Sequence, residues 1–241
     1  MRYKAVVAYD GSAYHGFQIQ GKDNTVQAEL ESVLAIIHKK HVTVYPAGRT
    51  DAGVHAIGQV FHFNSDIEMN DHNMQNAINS RLPRNIYIKS IAHVGDDFHA
   101  RFSCKSKVYE YLIDTGEYNP LLMNYRTYYR HQLNIEAMKE ALALVQGEHD
   151  FKSFTKNHRL ENTTRELYEA SLTVEGSLLK LRFHGNGFMH NMVRIIVAMV
   201  MEVGKGKLQP TDLLAIIDAK NRRLAPKTAP ANGLYLLEVC Y

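Results

Sequence analysis

The sequence predicts an α+β protein made of two consecutive βαββαβ units. Short segments with alternating apolar residues and longer segments with apolar residues at helical spacing follow one order twice. No Pro/Gly/Ser-rich linker divides the two runs. The chain has 241 residues and is 45% hydrophobic, enough apolar material for a substantial core.

Residues 3–9 alternate and read as a strand. Over residues 25–39, Val26, Leu30, Val33, Leu34 and Ile37 recur at helical spacing, with Asn24 as N-cap and Gln27 three residues on. Val42-Thr43-Val44-Tyr45 and Gln59-Val60-Phe61-His62-Phe63 read as strands on either side of a turn. Residues 71–81 form a helix stopped by Pro83, and residues 86–94 a strand.

The second run begins with a strand at 108–114. An amphipathic helix at 134–146 ends at Gly147. Residues 166–174 and 178–183 form a hairpin around Glu175-Gly176-Ser177. An apolar helix covers 188–203, an added helix 211–219 opens beside Pro210, and a last strand covers 234–239. The order is that of two tandem ferredoxin-like units, residues 1–106 and 107–241. Open antiparallel sheets of this type join edge to edge, which would give one mostly antiparallel sheet with helices behind. The loosest connection is 115–133.

Composition narrows the function classes. Cys104 and Cys240 have neither metal-ligand spacing nor the density of a disulfide scaffold, so an intracellular, reducing compartment is expected. The apolar start of the chain is too short for a secretory signal. The segment 188–203 is too short to span a bilayer, and His190, Asn191, Arg194 and Glu202 interrupt it. A net charge of +3 permits an anionic partner without demanding one. Basic clusters occur at Lys39-Lys40, at Arg101 with Lys105 and Lys107, at Arg126 with Arg130, at Lys205 with Lys207, and at Arg222-Arg223. Each alone reads as solvated charge. Only if folded onto one face would they bind phosphates.

The segment Ala47-Gly48-Arg49-Thr50-Asp51-Ala52-Gly53-Val54-His55-Ala56 carries the chemistry. It sets one carboxylate, Asp51, between glycines at a sheet end, where a bulky ligand can approach. Arg49 is expected to hold that carboxylate ionised through charge-assisted hydrogen bonds. An ionised, oriented aspartate is a usable nucleophile or base. The plain alternative is an Asp-Gly turn with a surface ion pair, and the flanking strands weigh against it.

This segment resembles the active-site motif of the tRNA pseudouridine synthase A family. Further blocks resemble the family in the same order. They are Tyr9-Asp10-Gly11 with Tyr14-His15-Gly16-Phe17-Gln18, Asp96-Asp97-Phe98-His99-Ala100-Arg101-Phe102-Ser103, and Lys107-Val108-Tyr109-Glu110-Tyr111. Gly147-Glu148-His149-Asp150-Phe151, Phe188-Met189-His190-Asn191-Met192-Val193-Arg194 and Gly233-Leu234-Tyr235-Leu236 follow. The resemblance implies an isomerase that converts uridine to pseudouridine at positions 38, 39 and 40 of the tRNA anticodon stem-loop. It implies a cleft between the two halves and a cytoplasmic homodimer. It also implies no cofactor and no metal. No phosphate loop G-x-x-x-x-G-K-[ST] and no H-E-x-x-H element occurs in the chain.

Asp51 is expected to attack C1′, to add to C6 of the base, or to take the C2′ proton. Tyr109 and Tyr111, read alone, are strand residues on one face, at least one of them core. The resemblance makes Tyr109 the active-site tyrosine that stacks on the freed uracil and leaves Tyr111 to pack. Arg194 is a lone cation in an apolar helix with little polar face. A buried partner is therefore expected, as against an arginine that snorkels to water. The resemblance makes that partner the catalytic aspartate. His55, His99 and His190 read as structural hydrogen-bonding residues, although His190 falls one helical turn before Arg194.

Two rival functions differ in class. A metal-dependent phosphodiesterase would gather Asp51, His55, Asp96 and His99 at one point. A non-catalytic RNA-binding protein with two RRM-like halves would expose an RNP1-like aromatic pattern, which the sequence lacks, and would give Asp51 no role.

Overall fold

In the computed structural model, residues 1–21, 24–157 and 159–241 are described. The chain is a mixed α+β protein that divides into two compact units, one of residues 1–105 with 235–241 and the other of residues 106–234.

The first unit opens with β1 (Arg2–Tyr9), in which Tyr3, Ala5, Val7 and Tyr9 all point into the core. Helix α1 (Val26–His38) buries Val26, Leu30, Val33 and Leu34, the stripe that its spacing predicts. Its N-cap is Thr25, whose hydroxyl accepts the Ala28 N–H, rather than Asn24. The strand expected at 42–45 shortens to β2 (Tyr45–Pro46). The reason is a buried carboxylate: Glu31 accepts the Val44 N–H at 3.0 Å, so that donor is spent on a helix side chain instead of a ladder. The expected strand at 59–63 lengthens to β3 (His55–Asn64). Helix α2 (Asp71–Asn79), capped by Asn70, and β4 (Ile86–Val94) follow.

The second unit begins with β5 (Ser106–Asp114), the short β6 (Thr127–Tyr128) and helix α3 (Ile135–Leu144). Strands β7 (Gly147–Asp150), β8 (Thr164–Glu175) and β9 (Leu178–Gly185) follow. Helix α4 covers Met192–Gly204 and α5 covers Asp212–Asp218. Helix α4 starts four residues later than its hydrophobicity predicts. Asn191 holds φ 64, a left-handed conformation that ends one backbone run before the helix begins. Inside α4, Glu202 is buried and paired with Lys205 at 2.9 Å and with Lys227. Burial alone would raise its carboxyl, but hydrogen bonds from the two ammonium groups outweigh burial and hold it below the usual range.

The final strand, β10 (Leu234–Cys240), corrects the expected boundary. Residues 235–241 join the first unit rather than the second, because β10 pairs in parallel with β3 through Tyr235↔His55 and Leu236↔Ala56. In the first unit β1 lies between β4 and β3, antiparallel to both, and β2 lies antiparallel on β3. In the second unit β9 lies between β5 and β8, antiparallel to both, with β7 antiparallel on β8 and β6 parallel to β5. Helix α2 packs on β4, and α3 packs on α4. Among the described residues, no helix is long and apolar enough to cross a membrane.

Burial shifts the pKa of one core histidine. His62 accepts the Ala100 N–H at 3.1 Å and stacks on Tyr45. Burial first, then the neighbouring His99 and Arg2, lowers its pKa from 6.5 to about 4. Protonation therefore favours the unfolded chain. The contribution is complete above pH 6.5 and is lost as pH falls toward about 4. His62→Asn keeps an acceptor for the Ala100 N–H and removes the titration. Thermal melts at pH 7 and pH 5 should show a smaller loss of Tm in this variant than in the parent. An equal loss in both would show that His62 is not a source of the acid sensitivity.

Candidate active site

Asp51 opens a reverse turn ahead of β3. Its carbonyl accepts the Val54 N–H at 3.1 Å, and Gly53 holds φ 78. A positive φ at the third place of a four-residue turn suits glycine, so Gly53 fixes the shape. The first-strand loop wraps this turn. The Tyr9 hydroxyl bonds to Thr50 Oγ1 at 2.8 Å in the interior. The Phe17 N–H donates to the Thr50 carbonyl, and the Gly53 N–H donates to the Tyr14 carbonyl, both at 3.2 Å. A Cβ on Gly16 would stand 2.5 Å from the Thr50 oxygen, and one on Gly11 would stand 2.0 Å from the Val54 oxygen. Two blocks distant in sequence thus form one backbone cage that presents a half-exposed Asp51.

The near side of the turn is tied to β3. The buried Gln59 side chain donates to the Gly48 carbonyl at 3.0 Å, and the Ala47 N–H donates to the Val60 carbonyl at 2.7 Å. On the far side His55 is buried. Its Nδ1 accepts the Gly11 N–H at 3.1 Å and lies 3.3 Å from Asp10, and its ring stacks on Tyr235 at 4.7 Å. His55 is therefore part of the framework. His99 also is: its Nδ1 accepts the Arg101 N–H at 3.2 Å, and its ring lies between His62 and Phe102.

Arg49 departs from expectation. It is exposed and makes no hydrogen bond or ion pair among the described residues. Backbone contacts, not Arg49, shape the turn. Sequence reasoning assigned no role to Gly11, Gly16 or Gln59. The signal available was the pair of glycines in the 9–18 block, since glycine at a close backbone crossing leaves no room for a Cβ.

In the second unit Tyr109 lies in β5, 8% exposed, with its ring meeting the edge of Phe188 at 5.0 Å. Tyr111 shares its face and is fully buried. Its hydroxyl bonds to Thr127 Oγ1 at 2.5 Å and donates to the Pro230 carbonyl at 2.8 Å, and burial pushes its pKa well up. Tyr111 packs. Arg194 is anchored by exchange: its Nε donates to the Ala229 carbonyl at 2.8 Å, and the Ala229 N–H donates to the Arg194 carbonyl at 3.0 Å. A freely snorkelling side chain would lack that fixed stem. His190 is exposed.

Several basic clusters serve the fold. Lys40 pairs with Asp66 at 2.6 Å, Arg126 with Asp114 at 3.2 Å, and Lys205 with Glu202. Among the described residues no group of three or more His, Cys, Asp or Glu side chains could hold a metal ion. The set Asp51, His55, Asp96 and His99 required by a metal-dependent phosphodiesterase is therefore not gathered.

The family model for tRNA pseudouridine synthase matches residues 5–103 and 141–241. The chain belongs to the tRNA pseudouridine synthase family. Relatives match over nearly their whole length. The tRNA pseudouridine synthase A of Geobacillus kaustophilus is 45% identical, with 100% of this chain and 94% of that protein covered. Those of Anoxybacillus flavithermus and Latilactobacillus sakei are 45% and 44% identical, each with 100% of this chain and 98% of the relative covered. One chain from the crystal structure of a Cbf5-Nop10-Gar1 complex aligns with a TM-score of 0.32 at 11% identity, over 82% of this chain and 54% of that one. That likeness is too distant to inform the fold. The pseudouridine synthase family match takes in both blocks of the Asp51 cage and Arg194, while Tyr109 falls between the two matched segments.

Proposed function

We propose that this enzyme isomerises uridine to pseudouridine at positions 38, 39 and 40 of the tRNA anticodon stem-loop, with Asp51 as nucleophile. The reaction breaks the N1–C1′ bond, turns the base and joins C5 to C1′; C5 gives up its hydrogen as a proton to solvent and N1 takes one up. It has no net redox change and no leaving product. It needs a carboxylate at C1′ or C6 and a surface that keeps the freed base. The observation that carries the reading is the cage of the 9–18 and 47–56 blocks, which presents one carboxylate from a rigid backbone in a chain of this family.

Tyr109 is the residue we assign to stacking on uracil, because an aromatic face tolerates rotation of the base. Arg194, with its stem fixed by Ala229, supports the charge of Asp51 in the working site. Arg49, exposed beside Asp51, would act on bound RNA as a cation. Both units are variants of the ferredoxin-like unit. In the first, the run β4-β1-β3 is extended by β2 and β10, which both pair with β3, and the second repeats the antiparallel core as β5-β9-β8. We take the working form to be a cytoplasmic homodimer that shares one tRNA.

The test is tritium release from tRNA carrying C5-labelled uridine, with no added metal. The parent should release label from the anticodon stem-loop. Tyr109→Leu should lose most of that rate while its melting curve stays near the parent's, and Tyr111→Phe should keep most of it. Small and equal effects at both tyrosines would reduce Tyr109 to a packing residue.

A further inference from the structure

Arg165 stands in β8 on the face that carries the buried Leu167. Its guanidinium donates through one nitrogen only. Nη1 reaches the Asn162 carbonyl at 3.3 Å, Asn162 Oδ1 at 3.4 Å and the Thr164 carbonyl. Among the described residues, Nε and Nη2 have no partner, and no carboxylate pairs with this arginine. The nearest acidic residues in the ladder, Glu166 and its partner Glu148, alternate to the opposite face. Burial lowers the Arg165 pKa, with no opposing charge to offset it.

Such a group is unusual. A half-buried guanidinium normally faces an anion. Here two free donors form a fork of the kind that grips phosphate oxygens in a bidentate manner. Its position fits a nucleotide substrate. A Cβ built on Gly187 would lie 3.5 Å from Arg165 Nε and 3.6 Å from Cδ, so the side chain rests against the loop that leads into α4. Phe188, the next residue of that loop, meets Tyr109.

We infer that Arg165 binds a backbone phosphate of the substrate RNA, close to the nucleotide whose base meets Tyr109. This rests on the pseudouridine synthase reading for the identity of the RNA, but binding tests it separately from chemistry. The guanidinium fork would hold the sugar-phosphate in place while the base detaches and turns, so that C1′ stays within reach of C5.

The experiment measures binding of unmodified tRNA across a series of salt concentrations for the parent, Arg165→Met and Arg165→Lys. Arg165→Met should bind roughly tenfold more weakly at low salt. Its log–log salt slope should be shallower by about 0.7–0.9, the loss of one neutralised phosphate. Arg165→Lys should keep the parent's slope, because the charge remains. A lower Tm with an unchanged slope in Arg165→Met would overturn the inference and leave a structural arginine. Undiminished tRNA affinity, with inorganic phosphate alone shielding Arg165 from phenylglyoxal, would also overturn it in favour of a free-anion site. Tritium release by the parent is scored alongside. If the parent binds tRNA but releases none, the enzymatic reading fails while the phosphate assignment stands or falls on the slopes.

Discussion

Asp51→Asn should abolish pseudouridine formation, with a fall on the order of 10³-fold or more, while tRNA binding persists. The substitution keeps the shape of the side chain and leaves untouched the backbone contacts that set the turn. What disappears is the carboxylate oxygen that we assign to attack on the sugar or base, and removal of a nucleophile is among the costliest changes an active site can suffer. Affinity for tRNA should stay within about threefold of the parent or rise slightly, since one negative charge near the RNA backbone is gone. Single-turnover tritium release read beside filter binding separates the two effects. Turnover by Asp51→Asn within tenfold of the parent would remove Asp51 from the chemistry.

Gly11→Ala should damage the rate as well, though about tenfold less, even without a substrate contact at Gly11. The new methyl would stand 2.0 Å from the Val54 carbonyl oxygen and 2.5 Å from its carbon, and both are backbone atoms. Neither can swing aside as a side-chain tip can. The 9–18 block and the Asp51 turn must therefore separate by more than about 1 Å to restore contact distances. A misplacement of that size costs roughly 10²-fold in rate. The stability cost should be that of overpacking, about 1–3 kcal/mol. The Gly11 N–H bond to His55 should weaken as well. A Gly11→Ala enzyme with parental kcat would show that the cage is looser than its contacts imply.

Much of the fold was legible because local periodicity dominates it. Val26, Leu30, Val33 and Leu34 announce α1, and the Glu175-Gly176-Ser177 turn announces the β8–β9 hairpin. Where the reading failed, a non-local contact decided the outcome. The Glu31 carboxylate takes the Val44 N–H and dissolves most of a strand whose own residues favour one. Asn191 in a left-handed conformation delays α4 although Phe188 and Met189 are apolar. The partner of β10 could not be read from its residues, because strand periodicity carries no information about which neighbour completes the ladder. At the site, the Gly-framed Asp51 turn was visible. The roles of Gly11 and Gly16 depend on a crossing of two distant backbones, and an arginine one residue from a carboxylate's neighbour need not point at it, as Arg49 shows.

The parallel pairing of β10 with β3 orders events in time. During synthesis residues 1–105 emerge with the His55–Ala56 edge of β3 uncovered, and the strand that covers it is made only after residues 106–234. That edge lies immediately after the Asp51 turn, and Tyr235 is the ring on which His55 rests. A nascent chain thus carries the Asp51 turn without the strand that braces it. Residues 106–234 must all be made before that turn is braced, so a chain cut short within them holds the turn without its support.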